Sequence, residues 1–169
     1  MDNKKAACMD DFCLRFAEEK DVPVILGFIK ELAEYEKMLD QVNATEKIVR
    51  ESIFESGSAE VIIGEYGGSP VSFALFFQNF STFLGKPGLY LEDIYVKPKM
   101  RGRGIGKAMM SFLAKLAMER RWGRLEWSCL DWNEPSIRFY RSLGAAAMDE
   151  WTVYRVEGKA MADLAGVCD

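Results

Sequence analysis

The run from Gly88 to Lys107, GLYLEDIYVKPKMRGRGIGK, constrains the fold more than any other part of the chain. Gly88 to Val96 is apolar, aromatic and β-branched, which predicts a strand. Pro98 then blocks further ladder pairing. The run Arg101-Gly102-Arg103-Gly104-Ile105-Gly106 follows, and an amphipathic helix begins directly after it. Unpaired N–H groups and the helix dipole at such a start favour an anion. Glycines let the backbone approach phosphate oxygens closely. Two familiar phosphate loops do not fit. A Walker A loop needs glycine where Arg101 stands and Ser or Thr where Ala108 stands. A dinucleotide fingerprint begun at Gly102-x-Gly104 would put its third glycine on Lys107. On the glycines alone, a tight βα turn in which they serve geometry only stays open.

The rest of the chain is patterned around this unit. Phe12 to Ala17 alternates as a first strand. Asp21 is placed to cap a helix that puts Ile25, Phe28, Ile29, Leu32 and Tyr35 on one face. Thr45 caps a second helix that stops near Gly57. Glu60 to Tyr66 and Val71 to Asn79 are strands joined by Gly67-Gly68-Ser69-Pro70, a hairpin signal. Phe80 to Pro87 reads as a loop. The third helix spans about Gly104 to Arg120, with Ile105, Met109, Phe112 and Leu116 facing inward. Arg124 to Leu130, Glu134 to Leu143 and Trp151 to Val156 give a strand, a short helix and a last strand. Residues 1 to 11 form a polar tail, and residues 12 to 169 one domain. The order β-α-α-β-β-β-α-β-α-β is α/β with a mixed sheet, strands four and five being parallel through a right-handed crossover.

Composition excludes several chemistries. Histidine is absent from the 169 residues, which removes Ser-His-Asp and Cys-His catalysis and most zinc sites, so no metal is expected. Cys8, Cys13, Cys129 and Cys168 show no Cys-x-x-Cys spacing and are expected as reduced thiols. A formal charge of −4 argues against nucleic acid. No apolar run is long enough to cross a membrane, and the acidic N-terminus is no secretory signal, so a cytoplasmic protein is expected. Acid–base work falls to Asp, Glu, Tyr, Cys, Lys or water.

The Arg101-x-x-Gly104-x-Gly106 loop resembles the acyl-CoA pyrophosphate loop of the GNAT acetyltransferase superfamily. Leu91-Glu92-Asp93-Ile94-Tyr95-Val96, Asp131-Trp132-Asn133-Glu134-Pro135-Ser136, Phe139-Tyr140 and Lys30 to Glu36 with Asp40-Gln41-Val42 resemble its diamine (spermidine/spermine) and thialysine N-acetyltransferase branch. The likeness runs from about Phe12 to Ala165. It implies a GNAT-like, mostly antiparallel sheet flanked by helices, acetyl-CoA as co-substrate, a small amine as acceptor and a homodimer.

Residue roles follow from the same resemblance. Arg101, Gly102, Arg103, Gly104, Ile105, Gly106 and Lys107 would take the pyrophosphate. The strand edge at Ile94, Tyr95 and Val96 would pair with the pantetheine amides, and the N–H groups of Ile94 and Val96 would face the oxyanion. Asn133 and Ser136 would touch pantetheine, although Asn133 alone reads as a helix cap.

Glu92 lies in a strand that reads as buried on both faces, where burial would raise its pKa and make it a better base. The resemblance has it act through water; a carboxylate satisfied by backbone or Arg is the alternative. Asp93, on the opposite face by alternation, reads as structural. Tyr140 is the family's general acid, or else a core aromatic beside Ile137 and Phe139. Glu36 and Phe83, with Glu92, would contact substrate. Acid at the end of the first helix is unfavourable to the dipole unless a cation visits, although a solvated acidic face also explains it. The loop Phe80-Ser81-Thr82-Phe83 lacks the Asp and Trp of the mammalian polyamine enzymes, which favours a shorter amine over spermine. Acetylation of a protein N-terminus or lysine, and a non-catalytic acyl-CoA-binding module, are the rival readings.

Overall fold

The computed structural model describes residues 5–9 and 11–166. They fall into two units, one ending at Ser128 and one beginning at Cys129. The first unit carries a six-stranded sheet whose order follows the chain: β1 (Lys5–Met9), β2 (Phe12–Phe16), β3 (Glu60–Tyr66), β4 (Ser69–Ser81), β5 (Lys86–Val96) and β6 (Leu125–Trp127). The first five strands pair antiparallel, and β6 lies parallel to β5. The mixed, mostly antiparallel sheet anticipated from the element order is therefore present. Helices α1 (Val22–Tyr35) and α2 (Glu46–Arg50, extended by a π turn) separate β2 from β3, and α3 (Ile105–Glu119) makes the crossover to β6.

Burial explains which faces the helices cover. Val22, Ile25, Leu26 and Phe28 of α1 pack with Val61, Ile63, Phe73 and Tyr95 of three adjacent strands. The Phe28 ring stacks on Phe73 at 5.3 Å between centroids. Each such side chain removed from water contributes about 1.5–3 kcal/mol. Helix α3 buries Ile105, Met109, Met110, Leu113 and Leu116. Leu113 takes the fully buried position expected of Phe112, which instead meets the Phe16 ring edge-on.

Several boundaries differ from the sequence reading. Lys5–Met9 is a strand, pairing Lys5 with Arg15 and Met9 with Phe12, in place of a free tail. Cys13 is disulfide-bonded in place of the expected free thiol, while Cys129 stays a thiol whose Sγ donates to the Leu130 carbonyl at 3.7 Å. The expected loop at 80–87 is the end of a long hairpin, Phe80 pairing with Pro87 and Ser81 with Lys86. Pro87 has no N–H to place, and its carbonyl accepts from Gly123 at 2.7 Å. Strand β6 is three residues long, where Arg124 to Leu130 was expected.

The second unit holds α4 (Glu134–Ser142) and α5 (Gly158–Ala165). Its segment Trp151 to Val156 forms no strand, where one was expected. Among the described residues no helix is long and apolar enough to cross a membrane.

Arg15 binds three elements of the first unit together. It donates to both Asp21 oxygens at 2.6 and 2.9 Å and to Glu65 Oε1 at 2.9 Å. Asp21 thus serves Arg15, and the Glu18 N–H at 2.8 Å, in place of capping α1 as its sequence position suggested. The Asp21 side chain is 7% exposed, and the Arg15 hydrogen bonds hold its carboxyl below the usual range. The folded form therefore gains stability from this group above the unfolded pKa and loses it as pH falls through the lower folded value. Arg15→Met should cost about 2–3 kcal/mol in urea unfolding at pH 7, because it strands a buried carboxylate. The difference from wild type should shrink once acid protonates Asp21.

Candidate active site

The site begins with a fault in the sheet. Strand β4 pairs Leu75 with Asp93 and Phe76 with Leu91, so Glu92 is an extra residue in β5, a β-bulge. Leu75 and Phe76 point to opposite faces, and so do their partners Asp93 and Leu91. Glu92 is the unpaired residue between them. Asp93 lies on the α1 face, since it and Tyr95 pair with Leu75 and Phe73 of the core against that helix. Strict alternation would have put Asp93 on the face of Leu91; the bulge moves it to the other.

Glu92 is exposed, so the burial expected to tune it as a base is absent. Asp93 is half-buried, and its pKa is pushed from the usual 3.8 up to about 6. Burial is the main cause, and the negative charges of Glu92 and Glu36 add to it. Glu36 sits at the C-cap of α1, half-buried, and burial raises its carboxyl too. The structure thus gathers Glu36, Glu92 and Asp93 into one carboxylate group. Among the described residues no group of three or more Cys, Asp and Glu side chains is disposed to hold a metal ion. Sequence alternation alone had set Asp93 apart from this group. Its only signal was two adjacent acids inside an apolar strand, which breaks the alternation and marks a bulge.

The same bulge opens the sheet edge. β6 pairs with β5 only at Leu89, Tyr90 and Leu91. Lys97 donates its N–H to Val71 of β4 at 2.9 Å, and alternation then turns the Ile94 and Val96 N–H groups away from β4, toward the side β6 has left. Tyr95 differs from its partners in the expected pantetheine edge. Its backbone turns toward β4 and its ring is buried with Phe28.

The loop below this edge fits a diphosphate. Gly102 and Gly104 take φ of +77° and +79°, with open space where a Cβ would stand. Gly104 is the N-cap of α3 and no side chain caps that helix, so its first N–H groups stay available. Ile105 is buried and anchors the helix start, while Arg103 and Lys107 are exposed. Arg101 is partly committed. Its Nε donates to the Val96 carbonyl at 2.9 Å, and its guanidinium lies over Tyr35 and Tyr95 at 4.7 and 5.6 Å. That leaves its outer N–H groups for an anion.

Phe83 stands at the tip of the β4–β5 hairpin, 93% exposed. Lys86, where β5 begins, is about 20 Å along the strand from Glu92. The structure therefore does not bring Phe83 to the carboxylates of its own chain.

Tyr140, Asn133 and Ser136 share α4 of the second unit. The Asn133 side chain is buried and accepts from the Ser136 N–H at 3.4 Å, so it caps the helix. Tyr140 is half-buried, its ring 5.4 Å from that of Phe139.

The chain matches the acetyltransferase (GNAT) family over residues 15–145. It is 39% identical over 170 residues to thialysine N-epsilon-acetyltransferase of Sus scrofa, covering 94% of this chain and 99% of that protein. It is 33% identical over 168 residues to spermidine/spermine N(1)-acetyltransferase-like protein 1 of Homo sapiens, covering 93% of this chain and 24% of that longer protein. Among solved structures, an integron cassette protein from the mobile metagenome of V. cholerae superposes with a TM-score of 0.77 at 26% identity, covering 92% of this chain and 98% of that one.

The carboxylate group has a measurable signature. Asp93 holds its proton more tightly folded than unfolded, so the stability this gives is complete below the unfolded value of 3.8 and is lost as pH rises through about 6. That rise in proton affinity corresponds to at most about 3 kcal/mol. Asp93→Asn should therefore gain stability over wild type between pH 4 and pH 7, by up to about 3 kcal/mol in urea unfolding. A difference that does not change with pH would show that the carboxyl is solvated.

Proposed function

This chain belongs to the GNAT acetyltransferase family, and we propose on that premise that it moves the acetyl group of acetyl-CoA to the primary amine of a small molecule bearing a second polar or cationic group. A thialysine-like amino acid fits best, followed by a short diamine; polyamines belong to the same class. The observation that carries the reading is the bulge at Glu92. It joins three carboxylates without a cation to an open strand edge, and that edge ends in a loop suited to a diphosphate.

Chemistry assigns each part a task. The exposed N–H groups of the Gly102 to Lys107 segment and the cations Arg101, Arg103 and Lys107 bind the CoA diphosphate. Pantetheine lies along the edge at Ile94 and Val96, with Asn133 and Ser136 as further contacts. Acetyl-CoA supplies the thioester carbonyl, on whose oxygen negative charge develops during attack. The Ile94 and Val96 N–H groups are the donors for it. Glu36 and Glu92 hold the second charge of the amine. The reacting nitrogen must shed a proton to have a lone pair, since a free ammonium has a pKa of about 10. It then attacks the carbonyl carbon, the C–S bond breaks, and Tyr140 gives the departing thiolate its proton. Transfer is direct, within one ternary complex.

We further propose that the working form is a homodimer. Trp151, Val153 and Tyr154 are 71%, 78% and 91% exposed in the single chain, which supports a surface that a second copy covers.

The deciding experiment is thiol release from acetyl-CoA across thialysine, lysine, diamines, polyamines, monoamines and lysine peptides. Thialysine or a short diamine should be turned over best, with spermine no better. Glu36→Gln should raise KM for these at least about tenfold while leaving a simple monoamine nearly unchanged, as expected for loss of one ion pair worth a few kcal/mol. Turnover of peptides alone would replace this reading with protein acetylation.

Tyr140→Phe should lower kcat by about 10²- to 10⁴-fold with little change in the KM for acetyl-CoA, because the proton is given only in the transition state. A normal kcat at every pH would make Tyr140 a packing residue.

A further inference from the structure

We propose that Arg124, held in place by Glu126 and Asn79, receives the α-carboxylate of an amino-acid acceptor. The assignment rests on the acetyl-transfer reading above and narrows its substrate class from amines to ω-amino amino acids. Three features of the first unit carry it.

The first is a shared face. Phe76 and Leu91 pair on the face opposite Leu75 and Asp93, so the next pair, Phe77 and Tyr90, returns to the face of Asp93. Asn79 and Gly88 follow on that face, and Glu126 joins it as the β6 partner of Tyr90. Side-chain contacts agree with this register. The Phe77 and Tyr90 rings lie 5.2 Å apart, the Tyr90 hydroxyl is 2.9 Å from Ser128 Oγ, and Asn79 Nδ2 donates to Glu126 Oε2 at 2.7 Å. The face therefore runs from an acid at the bulge, over an aromatic floor, to a polar cluster that contains a cation.

The second is the state of that cation. Arg124 Nε lies 2.7 Å from Glu126 Oε2, the oxygen that Asn79 already serves, yet its buried N–H makes no aligned hydrogen bond. Asn79 Oδ1 is buried without a donor as well. Buried polar groups are rarely left so, and two in one cluster mark a place that something else completes. The Arg124 side chain is 37% exposed. A guanidinium positioned by one carboxylate and not satisfied by it can take a second through two parallel N–H groups.

The third is Gly88. Its φ lies outside the left-handed region, so the backbone does not require glycine there, and glycine weakens a strand interior. A Cβ would come within 2.5 Å of Asn79 Oδ1 and 3.1 Å of Arg124 Cγ. The missing side chain is the gap that lets both polar groups lie across the strand.

The lengths agree. The reacting amine must reach the edge at Ile94, beside Asp93. Tyr90 lies three residues before Asp93, about 10 Å along the strand, and Glu126 is about 4.8 Å to the side, which puts the Arg124 guanidinium about 11 Å from Asp93 on the diagonal. An extended lysine-length chain separates its amine from its carboxylate carbon by about 7 Å, and a hydrogen bond of about 3 Å at each end completes the span. The α-ammonium stays with Glu36 and Glu92.

The test compares acceptors that differ only at the tail: L-thialysine, its carboxamide, and the diamine left when the carboxylate is removed, each with acetyl-CoA and the full chain. Wild type should show a KM for thialysine at least about tenfold below that for the other two. Arg124→Gln should raise the thialysine KM by about 10- to 100-fold, the loss falling on KM and not on kcat, while the carboxamide and the diamine change by less than about twofold. Arg124→Lys should recover part of the loss, as a point charge without the fork. Glu126→Gln, which releases the guanidinium, should raise the thialysine KM less than Arg124→Gln does and add little to it in the double variant. The assignment is overturned if wild type does not distinguish acid from carboxamide. It is overturned equally if Arg124→Gln weakens all three acceptors alike, which is what a merely structural role would do. In both cases turnover of the diamine leaves the acetyl-transfer reading standing. Inactivity of the wild type toward every amine would remove that reading, and this one with it.

Discussion

The single extra residue in β5 is the constraint from which the site follows. Without it, β4 and β5 would stay in register, Asp93 would fall on the face of Leu91, and the Ile94 and Val96 N–H groups would turn inward to β4. One inserted residue therefore does two things. It turns the strand's hydrogen-bonding groups outward beyond Leu91, and it sets Asp93 on the α1 face with Glu36. Pocket and strand edge are two results of one backbone irregularity.

The rest of the first unit keeps that irregularity in place. Phe28 and Phe73 stack beneath it, Tyr95 is buried next to them, and Arg101 reaches back from the phosphate loop to the Val96 carbonyl. The guanidinium over Tyr35 and Tyr95 links the loop to the end of α1, where Glu36 is held. The Arg15 hub does the same between β2, β3 and the start of that helix.

Much of this was legible in the sequence because the signals were local. The strand, glycine run and helix start between Gly88 and Lys107 sit where the patterns placed them, as do α1, α3, α4 and the turn at Gly67-Gly68. Glu36 and Glu92 were both singled out as acids, and both stand near Asp93. What escaped depended on pairing. The bulge is a property of two strands together, so β5 alone suggested simple alternation and gave no sign that Asp93 would face α1. Strand β1 was hidden because Lys5–Met9 has no aromatic or β-branched residue, whereas β2, of the same length, alternates Phe12, Leu14 and Phe16. Trp151 to Val156 erred the other way: its pattern is that of a strand, but a pattern supplies no partner and no ladder forms there. The hairpin at 80–87 was missed because Gly85 and Pro87 read as loop, though only 82–85 turn.

The order of the sheet, in which every strand neighbours the one before it in the chain, bears on how the protein is made. The β4–β5 hairpin closes over four residues, so the strand that carries the bulge can form at little cost in chain entropy. Partners brought from far along the chain come later: α1 with Glu36 from one side, and β6 through the α3 crossover from the other. A nascent chain would thus build the irregular strand first and assemble its surroundings around it. Errors in assembly would then show as slow docking of the helices, with the register of β4 against β5 already set.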